Sequence, residues 1–178
     1  MGTNTSRRMA AVALISAALV TGGATSGYAA QQTGAGTSGT TRVTAGDGEG
    51  SGKGLAATRW ASCTAQVNNP HWSRGAKSVI FKTRVACTGN IATVHVKVTG
   101  KLYRKSGSKW HAVAGSKETK VKATNGKVST YYTPRPSGRK ATLDGTYKGK
   151  ITVQITSPFP GTKGTASSKA VKVNTPGK

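Results

Sequence analysis

From Leu55 onward, hydrophobic and polar residues alternate with a period of two, as in strands that bury one face and wet the other. Ala61, Cys63, Ala65 and Val67 alternate with Ser62, Thr64 and Gln66; Val79, Phe81, Thr83, Val85 and Cys87 alternate with Lys82 and Arg84. Both cysteines thereby point inward. Gly89-Asn90 predicts a tight turn into a strand over residues 91–99, where Val94, Val96 and Val98 face one side and Thr93, His95 and Lys97 the other. Gly100 predicts a bulge, beyond which the strand runs on through Leu102. Shorter strands are expected over residues 110–114, 119–123 and 128–133, the last two joined as a hairpin across Asn125-Gly126. Pro134-Arg135-Pro136-Ser137-Gly138 breaks the pattern into a loop. Alternation resumes over residues 147–155, with Ile151, Val153 and Ile155 inward and Lys148, Lys150, Thr152 and Gln154 outward, and residues 170–173 supply a last strand. Short strands at hairpin spacing with no helical periodicity predict an all-β fold, a single antiparallel sandwich over residues 57–175.

The region before it reads differently. Arg7 and Arg8 precede an apolar run from Met9 to Val20 that is too short to span a bilayer, followed by small residues. Residues 1–29 therefore read as a signal peptide, cut after Ala29 or Ala30. Ser6-Arg7-Arg8 resembles a twin-arginine signal, but Met9, Ala10 and Ala11 match that pattern poorly, so general export fits better. No later run is apolar enough for a transmembrane segment in the mature form. Residues 30–56 are mostly Gly, Ser, Thr and Ala, a composition in which ordering costs more than burial returns. This stretch is expected to be a flexible arm whose coiled ends lie roughly 27 Å apart. It serves either as a spacer or, through Arg42, Val43 and Thr44, as an added strand on a partner.

Charge changes the picture most. The chain has 178 residues, with 27 Lys+Arg against 4 Asp+Glu and a net charge of +23, and loss of residues 1–29 would remove only Arg7 and Arg8 from that balance. In an exported chain the only two cysteines, Cys63 and Cys87, should form a disulfide, worth about 3.5 kcal/mol in loop entropy. Whether it bridges sheets or neighbouring strands is open from sequence, as is the strand order.

Catalysis finds little material. In the folded part the acids are Glu118, among Lys117 and Lys120, and Asp144, in a turn that favours Asp for local hydrogen bonding. His71, His95 and His111 stand at no metal-ligand spacing, no G-x-S-x-G elbow occurs, and a disulfide removes both thiols. The expectation is no enzyme, no metal and no cofactor. Lys101, Arg104, Lys105, Lys120, Lys122, Lys148 and Lys150 recur at outward or turn positions, and with so few acids they cannot neutralise one another. They are the candidate partner-binding cations. Trp72 and Arg74 are a candidate loop contact, Trp72 either stacking on a ligand or closing the end of the sandwich. Trp110, with Ala112 and Ala114 on the same side, is expected in the core.

Asp144-Gly145-Thr146-Tyr147, followed by alternating Ile151, Val153 and Ile155, resembles the turn into a late strand of bacterial immunoglobulin-like domains. The resemblance implies an immunoglobulin-like sandwich in which Tyr147 bonds to the backbone at that corner. The Gly-rich leader, the paired cysteines, Pro70-His71-x-Ser73-x-Gly75-Ala76 and Val79-Ile80-Phe81-Lys82 resemble small secreted actinobacterial proteins, among which the linker subunit of umbrella toxin particles has this build. These readings converge on a secreted, non-catalytic binding or adaptor module whose basic surface engages an acidic extracellular protein or an anionic polymer. The alternatives are a linker subunit of a secreted multi-protein toxin assembly that docks through its arm, and a cationic antimicrobial protein. Sequence-specific nucleic-acid reading is not expected, since no RRM, zinc-finger or helix-turn-helix signature occurs.

Overall fold

The computed structural model describes residues 39–46 and 59–176. The expected signal peptide and the rest of the arm lie outside the described residues. The described chain is all-β and forms two antiparallel sheets face to face. One contains β1 (Thr40–Gly46), β2 (Trp60–Val67), β3 (His71–Ser73), β4 (Ser78–Gly89) and β8 (Ser129–Thr133), in the order β1-β2-β4 with β3 and β8 both on β4. The other contains β5 (Val94–Ser106), β6 (Lys109–Ala112), β7 (Glu118–Thr124), β9 (Gly145–Ser157), β10 (Lys163–Ser167) and β11 (Val171–Val173). There β9 and β5 form the centre, β10 and β11 flank β9, and β6 and β7 flank β5.

The alternation works as physics requires. The inward set of β4, β5 and β9 meets between the sheets, where Phe81, Val85, Val96, Leu102, Val153 and Ile155 have no exposed surface. The disulfide joins Cys63 to Cys87, which face each other directly across β2 and β4, so it ties neighbouring strands of one sheet. Tyr147 is buried and donates its hydroxyl proton to the carbonyl of Leu143 at 2.5 Å, the corner bond expected of it.

Several local expectations are corrected. Residues 40–46 are not part of a flexible arm: they pair along the chain's own β2 from Thr40↔Gln66 to Gly46↔Trp60, and Val43 is 1% exposed in the core. Gly89-Asn90 is not a hairpin turn, because β4 and β5 belong to different sheets. Instead Asn90 folds back on β2, receiving the Trp60 amide on its side-chain oxygen at 2.7 Å and giving its own amide to the Trp60 carbonyl. Asn125-Gly126 likewise carries the chain from one sheet to the other, since β7 pairs with β5 and β8 with β4. A turn dipeptide reverses the chain but does not dictate that the flanking strands pair with each other. Gly100 is not a bulge; the ladder irregularity lies at His95/Val96. Its glycine is needed because a Cβ there would lie 2.2 Å from Oγ1 of Thr133 in the facing sheet. Strands β3 and β10 were not expected, being short and broken by polar and glycine residues.

Candidate functional site: a lysine-lined sheet face

Residues directly opposite in an antiparallel pair share a face, so register assigns each cation a side. Lys101 lies opposite Lys150, Tyr103 opposite Lys148, and Lys105 opposite Trp110, all on the outer face of the β9-β5 sheet. Lys97, opposite Gln154, and Lys163, also opposite Gln154 from the β10 side, belong to the same face. Between them a row of threonines crosses the sheet: Thr165 faces Thr152, Thr152 faces Thr99, and Thr99 faces Thr119. The hydroxyls of Thr99 and Thr119 are 3.0 Å apart and hydrogen-bonded.

Strand geometry sets the scale. Neighbouring strands lie about 4.8 Å apart, and successive same-face residues on one strand lie about 6.7 Å apart. The threonine row is therefore about 14 Å long, with a lysine-bearing row about 6.7 Å to either side. One side carries Lys163 and Lys97, the other Lys150 and Lys101. Short hydroxyl side chains between long cationic ones make a shallow track with charged walls.

Two aromatic rings support cations on this face. The ammonium of Lys148 sits 4.2 Å from the centre of the Trp110 ring, and that of Lys101 5.7 Å from the Tyr103 ring. Such contacts are worth about 0.5–1 kcal/mol each where exposed, enough to restrict a lysine head that would otherwise sample solvent. Trp110 is thus a half-buried ring on the outer face, which corrects the expectation of a core position. A tryptophan followed at alternate positions by Ala112 and Ala114 satisfies the alternation rule on either face, and only the pairing with Lys105 decides between them.

The expected cations divide. Lys101, Lys105, Lys148 and Lys150 share the face, and Lys97 and Lys163 join them. Arg104 does not: its Nε and Nη2 donate to the carbonyl of Asp144 at 3.0 and 2.7 Å, which pins the loop leading into β9. Lys120 and Lys122 lie opposite Val98 and Val96 and so point to the inner side of edge strand β7. Lys122 donates to the Thr130 carbonyl and sits over the Tyr131 ring, while Lys120 lines a cavity of about 270 Å³ at the seam between β7 and β8. Tyr131 beside it donates to the Val96 carbonyl at 2.9 Å, and burial pushes its phenol up to about 12. Trp72 lies on β3, opposite Val79, with its ring against the core, whereas Arg74 is exposed in the turn that follows. Arg42 and Thr44 occupy outward positions on β1, in the other sheet.

Neither described acid neutralises the lysine face. Glu118 faces inward, accepts the Arg135 amide at 3.3 Å and pairs with the Arg135 guanidinium at 3.5 Å. Asp144 accepts the amide and hydroxyl of Thr175, both at 2.6 Å. These bonds hold its carboxyl below the usual range, with the charges of Arg104 and Lys172 acting in the same direction. Among the described residues no three His, Cys, Asp or Glu side chains gather in a group that could hold a metal ion. No helix of the described residues is long and apolar enough to cross a membrane. No protein-family model matches the chain, and no curated protein or solved structure matches it either.

Proposed function

We propose that the protein is an exported, non-catalytic binding module that engages an acidic extracellular partner through the outer face of the β9-β5 sheet. The observation that carries this reading is the gathering of Lys97, Lys101, Lys105, Lys148, Lys150 and Lys163 on one side of one sheet, with no acid beside them among the described residues. Such a surface sets up a positive field that draws in anions and weakens steeply with salt. Dispersed lysines of equal number would give the same net charge without a directed contact.

The test separates face from net charge. Lys101→Gln/Lys150→Gln removes two cations from the face, and Lys77→Gln/Lys127→Gln removes two from exposed turns elsewhere. On a heparin column the first variant should elute at clearly lower salt than the second. Equal elution of the two variants would refute a directed basic face.

A further inference from the structure

The face has a more specific geometry than charge alone requires. We infer that it binds a single unbranched phosphodiester chain with a polyol backbone, laid across the strands along the row Thr165, Thr152, Thr99 and Thr119. This deepens the proposed function and rests on it.

Three features select the ligand class. First, the cations on this face are lysines, with no arginine among its strand residues. Lysine is a compact point charge with rotatable donors, whereas the guanidinium fork holds one planar anion in a fixed bidentate geometry, so the composition suits a flexible chain of spaced anions such as phosphodiesters. Second, the aromatic rings of the face already have ammonium groups over them, Lys148 on Trp110 and Lys101 on Tyr103. A single-stranded nucleic acid held on a sheet uses free ring faces to stack its bases. Here the rings hold cations in place instead, which favours a polymer without bases. Third, the space between the two lysine-bearing rows is floored by hydroxyls that can donate to phosphoryl oxygens and exchange hydrogen bonds with polyol hydroxyls. The gap of about 13 Å between those rows admits one extended chain, with Lys97 and Lys163 on one side and Lys101 and Lys150 on the other.

The experiment uses the full mature chain and synthetic poly(glycerol phosphate), followed by calorimetry across a salt series. Contacts from the four flanking lysines predict a log–log salt slope of about −3, taking about −0.7 per phosphate contact on a flexible single chain. Lys101→Gln/Lys150→Gln should flatten the slope by about 1.4, and Lys77→Gln/Lys127→Gln should leave it unchanged. Thr99→Val/Thr152→Val keeps strand-favouring side chains and should weaken binding about tenfold with the slope preserved, while Thr99→Ser/Thr152→Ser should restore it. Melting curves confirm that each variant is folded.

Oligothymidine and poly-glutamate at matched charge concentration are the comparison ligands. Binding to either that equals poly(glycerol phosphate) overturns the ligand class, and an unchanged affinity of the valine variant overturns the threonine track. Both outcomes leave the basic-face reading standing as long as the Lys101/Lys150 variant still weakens binding. An unaltered salt slope in that lysine variant overturns both readings together.

Discussion

Gly149 lies between Lys148 and Lys150 on β9 and faces the opposite way, into the core. A Cβ placed there would lie 2.8 Å from Cγ and Cδ1 of Phe81 and 2.9 Å from Cδ2. Comfortable carbon contacts are about 3.5–4.0 Å, so Gly149→Ala must separate the sheets or turn the ring by most of an ångström. The ring cannot retreat to solvent, because Phe81 is 0% exposed. Overpacking of this kind costs about 1–3 kcal/mol, against which alanine recovers about 0.5–1 kcal/mol of strand-interior glycine penalty. The expected net loss is about 1–2 kcal/mol, read as a urea midpoint lowered by ~1 M at a slope of about 1.5 kcal/mol per molar. The decisive measurement is a double-mutant cycle with Phe81→Leu. The smaller side chain should make room for the methyl, so the two changes together should cost at least ~1 kcal/mol less than their sum. Full additivity, or a Gly149→Ala variant as stable as the parent, would refute the close approach of β9 to β4.

Val43→Ala should destabilise by about 2 kcal/mol in the same assay, since its side chain is fully removed from water; no loss would mean that β1 does not belong to the fold. Replacing both Cys63 and Cys87 by alanine should cost about 3.5 kcal/mol of stability and leave the far-ultraviolet spectrum that of a β-protein, because Cys63 is one small member of a core dominated by larger side chains and Cys87 only packs against it. The fall of Asp144 below its ordinary value of 3.8 means that the folded state binds the proton less tightly than the unfolded chain. Its stabilisation is fully present above pH ~3.8 and disappears as the pH falls through the depressed value. The melting-temperature gap between the parent and Asp144→Asn should therefore close on acidification below that point, and a gap that stays constant would exclude Asp144 as its source.

Fold class was legible because an antiparallel sandwich leaves its mark residue by residue. Each inward position of β2, β4 and β9 read from alternation is buried or packed against the core. Pairing was not legible to the same degree. Gly89-Asn90 and Asn125-Gly126 are turns by local chemistry, yet each passes between sheets, and which strands then pair is set by long-range packing. The same limit applied to the site. Lys120 and Lys122 sit on an edge strand where an alternating pattern of lysine, valine and alanine fits either orientation, and only the pairing of β7 with β5 turns them inward. Lys163 is not legible as part of the face because its strand is short and glycine-containing. The threonine row could not be read from the sequence at all, since it is assembled from β10, β9, β5 and β7, and a row across strands exists only once register is known.

The placement of β1 has a practical corollary. This strand reaches β2 through a chain stretch rich in glycine, and it contributes one large buried side chain, Val43, to the sandwich. Proteolytic nicking between residues 46 and 60 would leave residues 40–46 attached by non-covalent forces only. The protein would then become a two-piece system in which a synthetic heptapeptide competes for a vacated β2 edge, giving a direct handle for attaching labels or cargo.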